Sequence, residues 1–219
     1  MRKNNYLAII ITAKKNNNVL RKALKAIYKQ TVLPQQLIIV LAETGKIIIP
    51  RNIQSRVVYS QIKNQVHQRT LGLKFLKKNI KFILQLDDKI ILEKNSIKSL
   101  LDEWKNADIN VAGITLNPQN YVRPKTGLFH LLTLTNSNID GEILSSGFVN
   151  GWSEQKENKK MKWLNGGMTS WKLKFIPQIY KRKFPVLKWS VCEDLFFSYG
   201  VSKKYKLILS SKSKAKIIL

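Results

Sequence analysis

Two pairs of adjacent carboxylates stand out in this chain. Asp87 and Asp88 close the apolar run of Leu84-Gln-Leu-Asp-Asp-Lys-Ile90, and Glu193 and Asp194 stand ahead of an apolar helical segment in Val191-Cys-Glu-Asp-Leu-Phe-Phe197. Two close carboxylates suit a hard divalent cation, which takes oxygen ligands and bridges to phosphates. Asp also begins turns and caps the next element, so a purely local role stays open for Asp87 and Asp88. Glu193 and Asp194 can cap a helix and pair with its dipole, a contribution of about 1 kcal/mol. Alternatively one of them acts as a general base, which needs only reach to a proton and a suitable pKa. Taken together, the pairs suggest a metal site and a base facing across one cleft.

Other candidates are weaker. Trp163-Leu-Asn-Gly-Gly-Met168 contains Gly166 and Gly167, which can bring backbone close to a ligand or simply make a turn. His67 and His130 are isolated and lack the spacing of a paired metal motif. Cys192, beside Glu193, reads as a small buried hydrophobe rather than a nucleophile, because a neighbouring anion raises a thiol pKa. As the single cysteine, it excludes an intrachain disulfide and any multi-cysteine metal site.

The segments that must position these residues alternate between strand and helix. Tyr6–Thr12 and Gln36–Leu41 are short, continuous, β-branched apolar runs, the pattern of strands buried on both faces. Between them Val19, Leu20, Ala23, Leu24, Ile27 and Tyr28 fall at helical spacing behind Asn16–Asn18, which can cap the start. This is a βαβ unit, so the sheet is expected to be parallel. Further strands are expected at Arg56–Ser60, Lys81–Leu86 and Asn110–Leu116, with helices at Val66–Leu76 and at Ser96–Trp104 capped by Asn95. Asp87 and Asp88 then sit at the carboxyl end of a buried strand, where open α/β sheets place their ligands. Residues 117–160 lose the pattern, with Leu128–Thr135 and Glu142–Val149 as candidate strands or a hairpin. A helix over Glu193–Lys203 and a strand over Tyr205–Leu209 come next, and Ser210–Leu219 reads as a solvated strand or frayed end.

With 219 residues, a 44% hydrophobic share and no repeats, the chain is a folded α/β protein rather than a fibrous, disulfide-scaffold or disordered one. Thirty-nine Lys and Arg against thirteen Asp and Glu leave a formal charge of +26. Such an excess invites nucleic acid or an anionic membrane surface, and composition alone does not choose between them. Genome base composition explains the abundance of Lys, Asn and Ile equally well. No apolar run approaches the ~20 residues of a membrane span, and the N-terminal run is too short for a signal peptide. The expectation is a cytoplasmic protein, at most peripheral at the inner face of the membrane.

In order along the chain, these features resemble glycosyltransferase family 2, the large inverting family with the GT-A fold. Ile9-Ile-Ile-Thr12 looks like its first strand. Leu24-Lys-Ala-Ile-Tyr-Lys-Gln-Thr31, Pro34 and Gln36-Leu-Ile-Ile-Val40 are similar to its helix, Gln-Thr turn and second strand. Gln65-Val-His-Gln-Arg-Thr-Leu-Gly72 resembles its Arg-Asn-x-Gly segment, and Leu86-Asp-Asp-Lys-Ile90 stands where the family has Asp-x-Asp. Gly141-Glu-Ile-Leu-Ser-Ser-Gly147, Trp163-Leu-Asn-Gly-Gly-Met168 and Glu193-Asp194 succeed it as in members that extend surface polysaccharides. The resemblance implies a Rossmann-like, mostly parallel sheet flanked by helices, with an irregular acceptor-side insertion. It implies one domain over 1–219, a nucleotide-sugar half at 1–116 and an acceptor half at 117–219.

The activity implied is transfer of a sugar from a nucleotide-sugar donor to a hydroxyl of a glycan or lipid-linked acceptor, with inversion. By position, Thr12, Glu43, Arg69, Asp87 and Lys89 would contact the donor, Asp88 and Asp87 would hold Mg2+ or Mn2+, and Trp163, Gly166 and Gly167 would meet the acceptor. Asp194 would be the base, assisted by Glu193. The chain departs from the family in three places. Leu41-Ala42 stands where an aspartate usually contacts the nucleobase, leaving Glu43 as the nearest acid, and Ala13-Lys-Lys-Asn16 replaces the usual first-strand turn. Lys89 takes the third place of the aspartate motif, so either it turns away and Asp88 anchors metal, or the ammonium itself neutralises the diphosphate. The Gln-x-x-Arg-Trp signature of processive members is absent, which argues for single-sugar addition. A catalytically inactive protein of this fold and a basic nucleic-acid-binding protein are the alternatives, though no zinc finger or RNP-like stretch supports the second.

Overall fold

The computed structural model describes residues 6–49, 52–176 and 192–218. The first five residues of the chain, Val191 and the tail residue Leu219 lie outside them. A nine-stranded sheet is ordered β3-β2-β1-β4-β8-β6-β9-β5, with β7 also paired to β9. The strands are β1 (Leu7–Ala13), β2 (Gln36–Leu41), β3 (Gln54–Tyr59), β4 (Phe82–Asp87), β5 (Ile90–Leu92), β6 (Val111–Pro118), β7 (Lys159–Met161), β8 (Met168–Lys172) and β9 (Lys206–Ile217). β1 to β4, β6 and β9 run one way, and β5, β7 and β8 run against them. The sheet is therefore mixed, with four parallel and four antiparallel pairings among the described residues: β1 to β4 are parallel, as the βαβ pattern required, and the antiparallel pairs lie in the rest.

β1 and β2 are buried at every position, which is why they appear as unbroken apolar runs. Burial of each such Leu or Ile side chain contributes about 1.5–3 kcal/mol. Helix α1 (Asn18–Tyr28) is capped by Asn17, whose side chain accepts a hydrogen bond from the Leu20 amide at 2.8 Å, and it buries Leu20, Ala23, Leu24 and Ile27 on the sheet. Helix α2 (Gln65–Leu73) is capped by Asn64, which accepts from the His67 amide at 3.0 Å. The buried face of α2 is unusual, because it carries Gln68, Arg69 and Gly72. A Cβ on Gly72 would lie 2.7 Å from Ile10 Cγ2, so only glycine lets α2 come this close to β1. Gln68 Nε2 donates to the Ala13 carbonyl at 3.0 Å, fixing the helix over the carboxyl end of β1. Arg69 is thereby carried to the same edge of the sheet.

Helix α3 (Ser96–Asn106) begins at Asn95, but Asn95 does not cap it through its side chain. That oxygen accepts instead from Thr31 Oγ at 2.9 Å. Leu128–Leu132, expected in a strand, forms the short helix α4 with none of its residues buried. The expected strand over Glu142–Val149 reduces to one bridge, Ile143 to Val149, around a tight turn. The Gly166-Gly167 turn leads into strand β8, then a 3-10 turn at Leu173–Phe175. Helix α5 spans Glu193–Ser202.

Of the two readings of the tail, the strand holds: β9 runs to Ile217 and pairs with β5, β6 and β7. Ser210, Ser213 and Ala215 are buried, and the two serine hydroxyls donate to Glu103 Oε1 and the Ser96 carbonyl, each at 2.9 Å.

Candidate active site

The carboxyl end of β4, helix α2, the start of α5 and the turn before β8 meet around a cleft of about 450 Å3. Gln65, Arg69, Asp87, Lys89, Gly167, Glu193 and Asp194 all line it. At its centre lies Arg69, whose side chain is only 5% exposed. Its Nη1 donates to Glu193 Oε1 at 2.8 Å and its Nη2 to Asp87 Oδ1 at 3.0 Å. Gln65 Nε2 also donates to that Asp87 oxygen. One guanidinium thus joins the two carboxylate pairs, and this forked geometry is what arginine offers and lysine does not.

The glycine pair makes this arrangement sterically feasible. A Cβ on Gly166 would fall 2.4 Å from Arg69 Nη1, and one on Gly167 would fall 2.4 Å from Asp87 Oδ2. The Asp87 amide donates to the Gly167 carbonyl at 2.8 Å, and the Gly166 amide donates to Asp194 Oδ2 at 3.0 Å. Asp194 Oδ1 accepts from the Leu195 amide at 2.9 Å. Buried Ser198 ties α5 to the segment before the turn, accepting from the Leu164 amide at 3.0 Å. Asp194 is therefore oriented by backbone on two sides.

Burial pushes the Glu193 carboxyl above its ordinary pKa, the Asp194 charge adds to this, and Arg69 pulls it back. Asp88 is also raised, first by burial and then by the Asp87 charge. A carboxyl held upward in a cleft marks a candidate for proton transfer.

Of the residues singled out in the sequence, the structure brings Arg69, Asp87, Lys89, Gly166, Gly167, Glu193 and Asp194 together. Thr12 is adjacent, in register with Asp87, and its buried hydroxyl has no hydrogen-bond partner among the described residues. Three others lie apart from the lining. Glu43 pairs with Lys63 at 3.1 Å and Lys14 at 3.9 Å. Asp88 is not part of the cleft wall, and the buried Trp163 packs edge-on against Trp152 while its Nε1 donates to the Asn150 carbonyl. Cys192 differs from expectation: it is exposed, lines the cleft and holds φ of 60° ahead of α5. Sequence reasoning misses Gln65 as a site residue, although its place beside the Asn64 cap puts it at the sheet edge.

The expected metal donors can be tested against this geometry. Among the described residues no three His, Cys, Asp or Glu side chains converge as a cation site. Asp87 Oδ1 is engaged by Arg69 and Gln65, Asp88 lies outside the lining, and Lys89 is among the lining residues. An ion such as Mg2+ can be held by one or two carboxylates, with substrate phosphates and water completing its shell, so these side chains form no closed cation site by themselves and a divalent ion would draw on the phosphates of a donor.

A central sheet that is parallel over β1 to β4, continued by the antiparallel β8 between β4 and β6 and flanked by helices, has the GT-A fold of glycosyltransferases. Over 97% of its length the chain matches GalNAc-T7, solved with UDP, GalNAc and Mn2+, at a TM-score of 0.68 and 13% identity, covering 44% of that chain. Over 96% it matches the mannosyltransferase PcManGT from Pyrobaculum calidifontis, solved with GDP-Man and Mn2+, at a TM-score of 0.60 and 11% identity, covering 56% of that chain. The chain spans about half the length of these proteins. No protein-family model and no curated protein matches the sequence.

Proposed function

We propose that this protein transfers a sugar from a nucleotide-diphosphate donor to an acceptor hydroxyl with inversion, as its resemblance to glycosyltransferase family 2 implies. The observation that carries the reading is the Arg69 bridge, which joins Asp87, the donor-side residue of this reading, to Glu193 beside Asp194 in one cleft of a GT-A fold. In the proposed reaction the acceptor oxygen forms a bond to the anomeric carbon while its proton passes to Asp194. The bond from that carbon to the diphosphate breaks, and its electron pair leaves on the phosphate oxygen. Lys89 and Arg69 neutralise the charge that develops there, the electrostatic role that dominates such catalysis. Glu193 holds Arg69 in place. A pathway in surface polysaccharide or glycan synthesis, adding single sugars, fits the segments that resemble polysaccharide-extending members.

The first test is whether UDP, dTDP or GDP raises the melting temperature, since a ligand of the native state stabilises it by mass action. Calorimetric titration with and without Mn2+ comes second. Tight diphosphate binding in a chelator supports the Lys89 role, and binding seen only with Mn2+ sinks it. Once a donor is found, Asp194→Asn is expected to abolish transfer while leaving nucleotide affinity intact. Transfer that survives removes Asp194 from the base role. DNA binding with a steep salt slope and no diphosphate affinity would replace the reading altogether.

A further inference from the structure

Helix α2 holds Asp87 through two bonds to a single oxygen. Arg69 Nη2 and Gln65 Nε2 both donate to Asp87 Oδ1, whereas Oδ2 accepts from no described residue. Gln65 and Arg69 stand four positions apart on α2, so both side chains leave the same face of the helix. The Asn64 cap, accepting from the His67 amide at 3.0 Å, fixes the turn that carries Gln65. Gly72 and Gln68 then keep the whole helix close to β1.

Two donors are needed because the guanidinium is divided. An arginine that grips one carboxylate with two parallel bonds fixes its plane as well as its place. Here Nη1 is committed to Glu193 at 2.8 Å, so Nη2 holds Asp87 by one bond at 3.0 Å. A single bond leaves a carboxylate free to turn about its last torsion, whose energy well is broad. Gln65 supplies the second bond. With Oδ1 held by two side chains, Oδ2 is kept beside the glycine turn, where a Cβ on Gly167 would lie 2.4 Å from it. Gln65, Asp87 and Gly167 all line the cleft, and Oδ2 is the oxygen left for a ligand.

We propose that Gln65 is a positioning residue for the donor: acting through Asp87, it turns that carboxylate so that Oδ2 meets the nucleotide-sugar. The inference rests on the donor-side place of Asp87 in the reaction proposed above, and it extends the donor machinery to a neutral residue outside both acid pairs. An amide suits the position because it brings a hydrogen-bond donor without a charge. A carboxylate of the same shape would set a like charge against Asp87. An apolar side chain of similar size would offer no donor at all.

The test compares wild type with Gln65→Glu and Gln65→Leu by calorimetric titration of UDP, dTDP and GDP at about pH 5 and about pH 8. Gln65 is partly exposed at the start of α2, so both variants are expected to fold, which circular dichroism and urea unfolding check. At the higher pH both should bind the preferred nucleotide about tenfold or more weakly, because a hydrogen bond to a charged group is lost. The cleft wall carries Asp87, Glu193 and Asp194 against Arg69 and Lys89, a net negative setting that raises the pKa of an introduced carboxyl. At the lower pH that carboxyl gains a proton and with it an O–H donor for Asp87, so Gln65→Glu should recover affinity relative to wild type while Gln65→Leu stays weak. Equal affinity of wild type and both folded variants overturns the role of Gln65 and leaves the donor reading standing. A deficit that is the same for both variants at both pH values also overturns it, marking a general disturbance of the cleft. Wild type that binds none of these nucleotides sinks the donor reading itself, and this inference with it.

Discussion

Replacing Arg69 with Met keeps most of its bulk and removes the one cation that joins the two acid pairs. In the native protein that guanidinium holds Glu193 at 2.8 Å and Asp87 at 3.0 Å, and the acids are only 17% and 20% exposed. Each hydrogen bond to a charged group contributes about 1.5–3 kcal/mol. Stranding carboxylates in a largely desolvated place puts the expected loss at about 3–5 kcal/mol. The loss should also depend on pH. Burial and Asp194 already hold Glu193 above its ordinary pKa, and Arg69 opposes them, so its removal raises Glu193 further. A carboxyl raised in the folded state binds more protons there than when unfolded, so stability falls as pH climbs from the ordinary carboxylate range through the raised value. Arg69→Met is thus expected to be least destabilised near pH about 5 and most near pH about 8. Urea unfolding at both pH values, with the slope m unchanged, measures the effect. A loss below about 1 kcal/mol, or an equal loss at both pH values, would refute the view that this guanidinium balances buried acids.

Three further outcomes are expected from the same geometry. Gly167→Ala would place a methyl 2.4 Å from Asp87 Oδ2 and force that carboxylate off Arg69 and Gln65; diphosphate affinity by calorimetry should fall about tenfold or more, and an unchanged affinity would detach Asp87 from the donor site. Gly113→Ala would meet the Trp171 ring at 2.6 Å, so a loss of about 1–3 kcal/mol is expected in urea unfolding, whereas no loss would mean that β6 and β8 can part cheaply. Burial raises the Glu103 carboxyl, so Glu103→Gln, which can keep the bond from Ser210, should gain stability relative to wild type as pH rises from about 5 to about 8; a gain that shrinks over that range contradicts the sign.

The parallel half of the fold is legible in the sequence because strands buried on both faces leave an unmistakable apolar record. The Gln36–Leu41 run coincides with β2 to the residue, and three of the four paired acids, Asp87, Glu193 and Asp194, line one cleft. The rest is obscured for physical reasons. Ile90–Leu92 is too short to show a period, and it exists only because β9 pairs with it. The β9 tail looks solvated because its inward residues include Ser210 and Ser213, whose hydroxyls donate to Glu103 and to the Ser96 carbonyl inside the protein, contacts that the local sequence does not show. Leu128–Leu132 reads as strand since apolar residues imply burial, yet the segment buries nothing. Gly166 and Gly167, acceptor contacts by the resemblance, also make room for Arg69 and Asp87, a neighbour relation that no local pattern records.

The Arg69–Glu193 ion pair spans 124 positions of the chain, and the bond from Gly166 to Asp194 spans another 28. No short stretch of contiguous sequence contains the cleft. An intermediate that has formed the β1–β4 sheet would possess half its core and none of its ligand-binding capacity. A nucleotide that binds this cleft would therefore recognise only molecules whose distant segments have met, and it would draw the folding equilibrium toward them by about 2.7 kcal/mol at about a hundred times its dissociation constant. Titrating a refolding mixture with such a ligand would count native chains directly, separating them from compact but incomplete ones that spectroscopy of the sheet alone would score as folded.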